Sequence, residues 1–573
     1  MEQPETDQPA RIGVILVHGI GEQRRFEHLD GQGREIIQAI RAQKHLDVTV
    51  EIASAAASPF HADQDSWDNG PAAPVRAIVR ERGGGITHHI HFHEVWWADI
   101  NERYSLAKQL RFWLWGLAVW AYPREGPRRL HGQQAVTMPD ERLATGAPWW
   151  ARTRMFMVGA FFLLTALPLG FGLAIVQRVF NLKTPDLLKT ITNYVSGVKL
   201  FNQPSRWGPG FTPWPAKEDF LDTLDEPPRV SVRRRMIRAI AAAASQRYDA
   251  WYVVAHSQGT VAAFNGLMET PYAWPGYFDE ADWLAFRAQG FAGPATTPQL
   301  PGDTMPRRPV WAAPDEIAYR AAIFDRFRGF LTLGSPLEKF ATIWPARVPI
   351  CRIPAFRPRT VWINVFDPID PVSGVLNAFD VADHAMCPSP INIGYRAGWI
   401  LLLAHLQYLT RSGSGTLSEA VGNWLLSGDA TFVTELKPRF APGSATALLR
   451  GMAAFAWWLL VFAIADLAAG PTLRWVARRA YESYRTASQD AAKHGLALGW
   501  VDTAADSLRA ALSGHGLAWW MVAALVFSVI GALVAGSLSR IGLTGRTDPA
   551  IPPRKPTPIP DLQPGALPLR PWP

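Results

Sequence analysis

Hydrophobic positions along this chain fall into two kinds of run, long ones free of charge and short ones that alternate with helical stretches. Met155–Val176 holds 22 residues without a charge, flanked by Arg152, Arg154 and Arg178, with Pro168 inside it. At about 1.5 Å per residue it reaches roughly 30 Å, the thickness of a bilayer core. Gly516–Leu538 is 23 uncharged residues ending before Arg540. Gly451–Ala465 is shorter and extends to Gly470 if Asp466 is tolerated near one end. Leu110–Tyr122 carries Trp113, Trp115, Trp120 and Tyr122, side chains that favour the membrane–water boundary. A buried core helix is the competing reading for each, and it weighs most on 110–122.

The short runs describe a different architecture. Ile12–Val17 (IGVILV) is rich in branched side chains and ends at His18-Gly19, as a strand buried on both faces of a parallel sheet would. The stretch 86–100 contains an alternating strand, 233–248 an Ala-rich helix and 250–255 a second buried strand; 327–337 and 359–374 each read as strand then loop. Strands alternating with helices predict an α/β fold with a doubly wound, mostly parallel sheet. Residues 270–314 are rich in Pro and aromatics and read as an inserted cap, and 541–573 as a Pro-rich, disordered tail.

Composition sharpens the picture. At 573 residues the chain is too long for one core, and 18% charge with 25 Trp and 28 Phe suggests partial membrane residence. The net charge is +8, which would suit nucleic acid or an anionic lipid surface. The basic residues are scattered Arg beside apolar runs, so a bilayer is the expected partner and nucleic acid is not. Two cysteines, Cys351 and Cys387, form no CxxC motif, and the acidic start MEQPETDQPA lacks the features of a cleavable signal.

The chemistry concentrates in AWYVVA-HSQG-TVAAFNGL, where a strand meets a helix at a turn of small residues around Ser257. A serine hydroxyl is a weak nucleophile that needs a base within hydrogen-bond reach and a third group to orient that base. It must also project from a tight strand-to-helix turn. Ala255 stands where the G-x-S-x-G pattern has its first glycine. A capping serine in an ordinary turn would give a similar local pattern.

In order along the chain come VILVHGIG (14–21), VVAHSQGT (253–260), LTLGSPL (331–337), DPVSG (370–374) and AHLQYL (404–409). With these segments the chain resembles the α/β-hydrolase-fold serine hydrolases of the lipase and esterase kind, over roughly 10–110 and 215–425. The resemblance implies Ser257 as nucleophile, Asp370 as acid and His405 as base, with Asp367 and His384 as the alternative acid and base. It implies an oxyanion hole built from the backbone of Gln258 and of the 18–21 loop, with Gly19 and Ile20 the candidates there, and it requires no cofactor. His256 is expected to pack behind the turn. His88, His89, His91 and His93 with Glu94 could offer zinc ligands, but a half-exposed strand with a polar face is the expected reading, and no metal is expected.

The implied hydrolase fold is split into residues 1–105 and 215–430, with the cap at 270–314. Both parts must lie on one side of a membrane to share a sheet, so the intervening chain crosses an even number of times. Membrane hairpins are therefore expected at 106–180 and 447–540, with the catalytic domain facing the cytoplasm. Aromatics of the cap, among them Trp274, Tyr277, Trp283 and Phe286, could form a lid over an acyl pocket, dip into the membrane or pack a small core of their own. The expected activity is hydrolysis of lipid or acyl esters through an acyl-enzyme. The same triad would serve an amidase or thioesterase, and a catalytically silent fold used as a membrane scaffold or sensor is the alternative from another class.

Overall fold

The computed structural model describes residues 8–19, 25–52, 75–100, 228–295, 308–343, 348, 360–367, 370, 372–379, 389–397, 401–409 and 415–436, parts of a helical stretch between 479 and 506, and residue 529. The four long apolar segments lie almost wholly outside these residues, as do Ile20, His384 and the Pro-rich tail. Among the described residues no helix is long and apolar enough to cross a membrane.

Eight strands form one sheet: β1 (Ala10–Val17), β2 (Leu46–Ile52), β3 (Val75–Glu81), β4 (Ile86–Val95), β5 (Ala250–His256), β8 (Phe327–Leu333), β9 (Val361–Phe366) and β10 (Ile391–Gly394). Two short strands, β6 (Ala292–Pro294) and β7 (Glu316–Ala318), pair separately. The sheet order is β10-β9-β8-β5-β1-β4-β3-β2. The run from β10 to β4 is parallel, and β3 and β2 add an antiparallel edge. The protein is therefore an α/β protein with a mostly parallel sheet, as the alternation of runs predicts.

Helices α1 (Arg34–Arg41), α2 (Pro228–Ser245), α3 (Gly259–Leu267), α4 (Glu280–Ala288), α5 (Leu337–Ile343), α6 (Leu401–Leu406) and α7 (Leu417–Ser427) complete the layers used below. Successive side chains of a strand point to opposite faces. Ile15, Val17, Trp251, Val253 and Ala255 accordingly pack into one core with Val232, Met236 and Ile240 of α2 and Val261 and Phe264 of α3. Val14, Leu16, Tyr252, Val254, Leu331 and Leu333 face the other way, against Ile36 and Ile40 of α1 and Val421 and Trp424 of α7. Burial on both faces is why these strands read as continuous apolar runs.

Two expectations change here. The helix predicted at 233–248 occupies Pro228–Ser245, because Pro228 suits a first helical turn and Arg247 has φ +48, outside the helical region. In the cap, Trp274, Tyr277, Phe278, Trp283 and Phe286 are buried, and the rings of Trp274, Phe278 and Trp283 pack around Phe286. They form the cap's own interior, so these five rings are not presented to a bilayer. Rings of this size each remove about 150–250 Å² from water, on the order of 4–6 kcal/mol before entropic costs. Arg233 to Glu269 at 2.5 Å and Arg238 to Asp282 at 2.7 Å tie α2 to this cap.

Candidate active site

In a doubly wound sheet, ligands bind outside the carboxyl ends of the strands where the strand order reverses. Here that point lies between β1 and β5, because β1 has β4 on one side and β5 on the other. His18-Gly19 leaves the end of β1 and Ser257 follows the end of β5. Ser257 has φ +54, a left-handed conformation uncommon for a residue with a side chain, which is the strained turn that the strand–turn–helix pattern predicts. The Ser257 N–H is held by the Leu333 carbonyl at 2.9 Å. Its own carbonyl accepts from the Thr260 hydroxyl at 2.7 Å, and Thr260 Oγ1 lies 2.9 Å from Ser335 Oγ.

Two glycines let the loops meet. A Cβ on Gly259 would run into the carbonyl oxygens of Val17 and His18, so α3 starts against the end of β1 only because residue 259 has no side chain. A Cβ on Gly19 would lie 2.6 Å from Ser257 Cβ and 3.2 Å from Ser257 Oγ. Gly19 is thus in contact with the serine. Ile20 lies outside the described residues.

Asp370 and His405 come together. His405 Nδ1 is 2.7 Å from Asp370 Oδ2, and both side chains are almost fully buried. Asp370 Oδ1 accepts from the Val372 N–H at 2.8 Å, and Oδ2 also accepts from the Tyr408 hydroxyl at 2.9 Å. Burial pushes the Asp370 carboxyl up, but the His405 ring, its hydrogen bond, the Val372 N–H and Lys339 outweigh this and hold it below its ordinary value. Asp367 is engaged elsewhere, its Oδ2 accepting from the Ala397 N–H at 2.8 Å. His384 lies outside the described residues.

His256 packs behind the turn, as expected. Its Nε2 donates to the His405 carbonyl at 2.7 Å and its ring lies 4.8 Å from that of His405. This contact links the residue preceding Ser257 to His405. His18 Nε2 accepts from the Trp97 N–H at 2.9 Å and its Nδ1 donates to the Gly19 carbonyl at 2.6 Å, so the ring is neutral and pins Gly19 to the end of β4. Burial pushes His18 down to about 4 and His256 down to about 3. Glu94 receives the Phe26 N–H at 2.6 Å and the Leu29 N–H at 3.3 Å, fixing the chain just beyond the Gly19 loop.

The histidines of β4 behave differently from a half-exposed polar face. His91 and His93 are buried and both reach the Tyr248 hydroxyl, at 3.3 and 2.7 Å. They are tolerated inside because Tyr248 satisfies a nitrogen on each ring. Among the described residues no group of three His, Cys, Asp or Glu side chains is arranged to hold a metal ion. A cavity of about 220 Å³ bordered by Tyr248, Asp249, Trp251, Phe291 and Arg326 opens at the amino ends of β5 and β8, the end opposite Ser257.

Thr260, Ser335, Lys339 and Ser373 contribute to this site with no role given to them by the sequence pattern, and Glu94, there a possible zinc ligand, instead holds the Phe26 and Leu29 amides. The VVAHSQGT, LTLGSPL and DPVSG segments contain Thr260, Ser335 and Ser373, but the partners of these side chains are set by loop packing between distant segments. Compared with known proteins, the chain matches no family model, no curated protein and no solved structure.

Proposed function

We propose that the protein is a membrane-bound serine hydrolase of the α/β-hydrolase fold that cleaves lipid or other acyl esters. The reading rests chiefly on one juxtaposition. A serine in a left-handed strand-to-helix turn follows His256, whose ring bonds the carbonyl of His405, and His405 in turn pairs with the buried Asp370 at 2.7 Å.

In this reading Ser257 Oγ attacks the ester carbonyl carbon while His405 takes the hydroxyl proton. Asp370 holds the ring through Nδ1, leaving Nε2 as the nitrogen for that proton, and stabilises the imidazolium that forms. The negative charge that develops on the carbonyl oxygen is met by the Gln258 N–H at the start of α3 and by the loop that begins at Gly19. Collapse expels the alcohol, which receives the proton from His405. Water then attacks the acyl-enzyme with His405 again as base, releasing the acid and restoring Ser257.

Ser257 Oγ makes no hydrogen bond among the described residues. Such contacts are often long without substrate and tighten as the substrate binds. The apolar segments supply the anchor in this reading and bring the site to lipid esters at high local concentration. A fluorophosphonate probe on the detergent-extracted full chain tests it. Wild type is labelled and Ser257→Ala is not, and absence of labelling in folded wild type overturns the proposal.

A further inference from the structure

The acid loop is gripped from behind by a lysine. Lys339, on α5, is buried, and its Nζ donates to the Val372 carbonyl and, at 2.8 Å, to the Ser373 carbonyl. Those two residues continue the turn that Asp370 begins, and the Val372 N–H already holds Asp370 Oδ1. The same short segment also reaches the nucleophile turn, because Ser335 meets Thr260, whose hydroxyl bonds the Ser257 carbonyl. One stretch, GSPLEK (334–339), therefore braces both the serine turn and the acid loop.

An apolar side chain could fill this space without the desolvation cost of an ammonium. Two carbonyls alone do not neutralise that charge. Asp370 and Glu338 are the titratable groups around it, and behind Asp370 stand His405, Tyr408 and Asp367. We propose that Lys339 is a positioning residue for the catalytic pair, clamping the 372–373 carbonyls so that Asp370 faces His405 and setting the charge that the pair feels. This rests on the serine-hydrolase reading above.

The charge has a calculable direction. Burial holds the Lys339 amine down to about 7, opposed by Asp370 and Glu338. On the acid side of neutrality the group is therefore cationic, and a cation near the Asp370–His405 pair makes protonation of the pair harder. Removing it makes protonation easier and moves the acid limb of the rate profile to higher pH.

The test uses the full chain in detergent and the rate of fluorophosphonate labelling at Ser257, followed between roughly pH 5 and 9. Lys339→Met is compared with wild type, and Lys339→Gln keeps a donor for the carbonyls without the charge. Both variants are expected to shift the acid limb upward by roughly half a unit. Lys339→Met also slows labelling at its optimum by ~10-fold, and Lys339→Gln by less. Labelling of both variants at the wild-type rate with an unmoved limb overturns the inference. Slower labelling with an unmoved limb also overturns it, since that is the signature of a merely structural lysine. If wild type is not labelled at all, the serine-hydrolase reading fails first and this inference with it.

Discussion

His405 and Tyr408, three residues apart, bond the same oxygen of Asp370, at 2.7 and 2.9 Å. Their spacing brings both side chains to one carboxylate, so the imidazole and the phenol approach as a pair. Tyr408 does more than this. Its oxygen also accepts the Asp367 N–H at 2.8 Å and lies 3.1 Å from Ser373 Oγ. One phenol thus joins the segment that carries His405 to both aspartates and to the turn between them.

Replacing Tyr408 by Phe removes one donor from Asp370 and orphans the buried Asp367 N–H. A buried group left unpaired costs about 1–3 kcal/mol. Tyr408→Phe should therefore lower stability by that amount in urea titrations and slow fluorophosphonate labelling by ~10-fold without abolishing it. Unchanged stability would mean that the phenol is not the acceptor for the Asp367 amide.

The two aspartates should separate cleanly. Asp370 meets His405, whereas Asp367 caps the Ala397 N–H. Asp370→Asn should cut the labelling rate by on the order of 10³–10⁴, because the amide no longer enforces the ring tautomer that leaves Nε2 as the base. Asp367→Asn should cost stability and less than ~10-fold in rate. Equal losses in the two variants would show that the acid is shared or misassigned.

Gly19→Ala and Gly259→Ala should fail in different ways. The new methyl at residue 19 would meet Ser257 Cβ at 2.6 Å, side chain against side chain at the site. Because a Cβ does not move with side-chain rotation, that variant should lose some stability and, out of proportion to that loss, most of its labelling. The methyl at residue 259 would meet backbone carbonyls of Val17 and His18, which cannot rotate away. That variant should be destabilised by about 1–3 kcal/mol. Thermal melts read beside labelling rates distinguish the two.

Legibility in the sequence followed how local each signal was. β1, β5, β8 and β9 were readable because they are buried on both faces and continuously apolar. β10 is four residues, Ile391–Gly394, placed by pairing with β9 rather than by its own pattern. The N-terminal turns of α2, PRVSV, carry branched residues that do not mark a helix, and packing against α3 and the cap decides their state. Ser257, Asp370 and His405 were named from ordered segments, and the last two meet. Lys339 was invisible because its partners, Val372 and Ser373, lie 33 and 34 residues away. The alternating pattern puts His91 and His93 on a half-exposed face, yet both are buried, because Tyr248, 157 and 155 residues distant, supplies their hydrogen bonds.

Those histidines give the fold a pH dependence of definite sign. Desolvation holds His18 and His93 down to about 4, His256 to about 3 and His91 to about 2. In the unfolded chain each accepts a proton near pH 6.5. Between that value and the folded one, the unfolded state binds more protons, so stability rises with pH and is lost as pH falls from about 6.5 toward the folded values. Each buried neutral ring contributes a slope of up to about 1.4 kcal/mol per pH unit. Asp370, held below its ordinary value, adds loss only at lower pH, below roughly 4, where its unfolded form begins to protonate. Urea titrations at about pH 7.5, 6 and 5 should therefore show the unfolding midpoint of the α/β unit falling by several kcal/mol in equivalent free energy. His93→Gln should flatten that fall by about one proton's worth, whatever it does to stability at neutral pH. A midpoint that stays level from neutrality to pH 5 would mean that these rings are not held neutral in the folded protein.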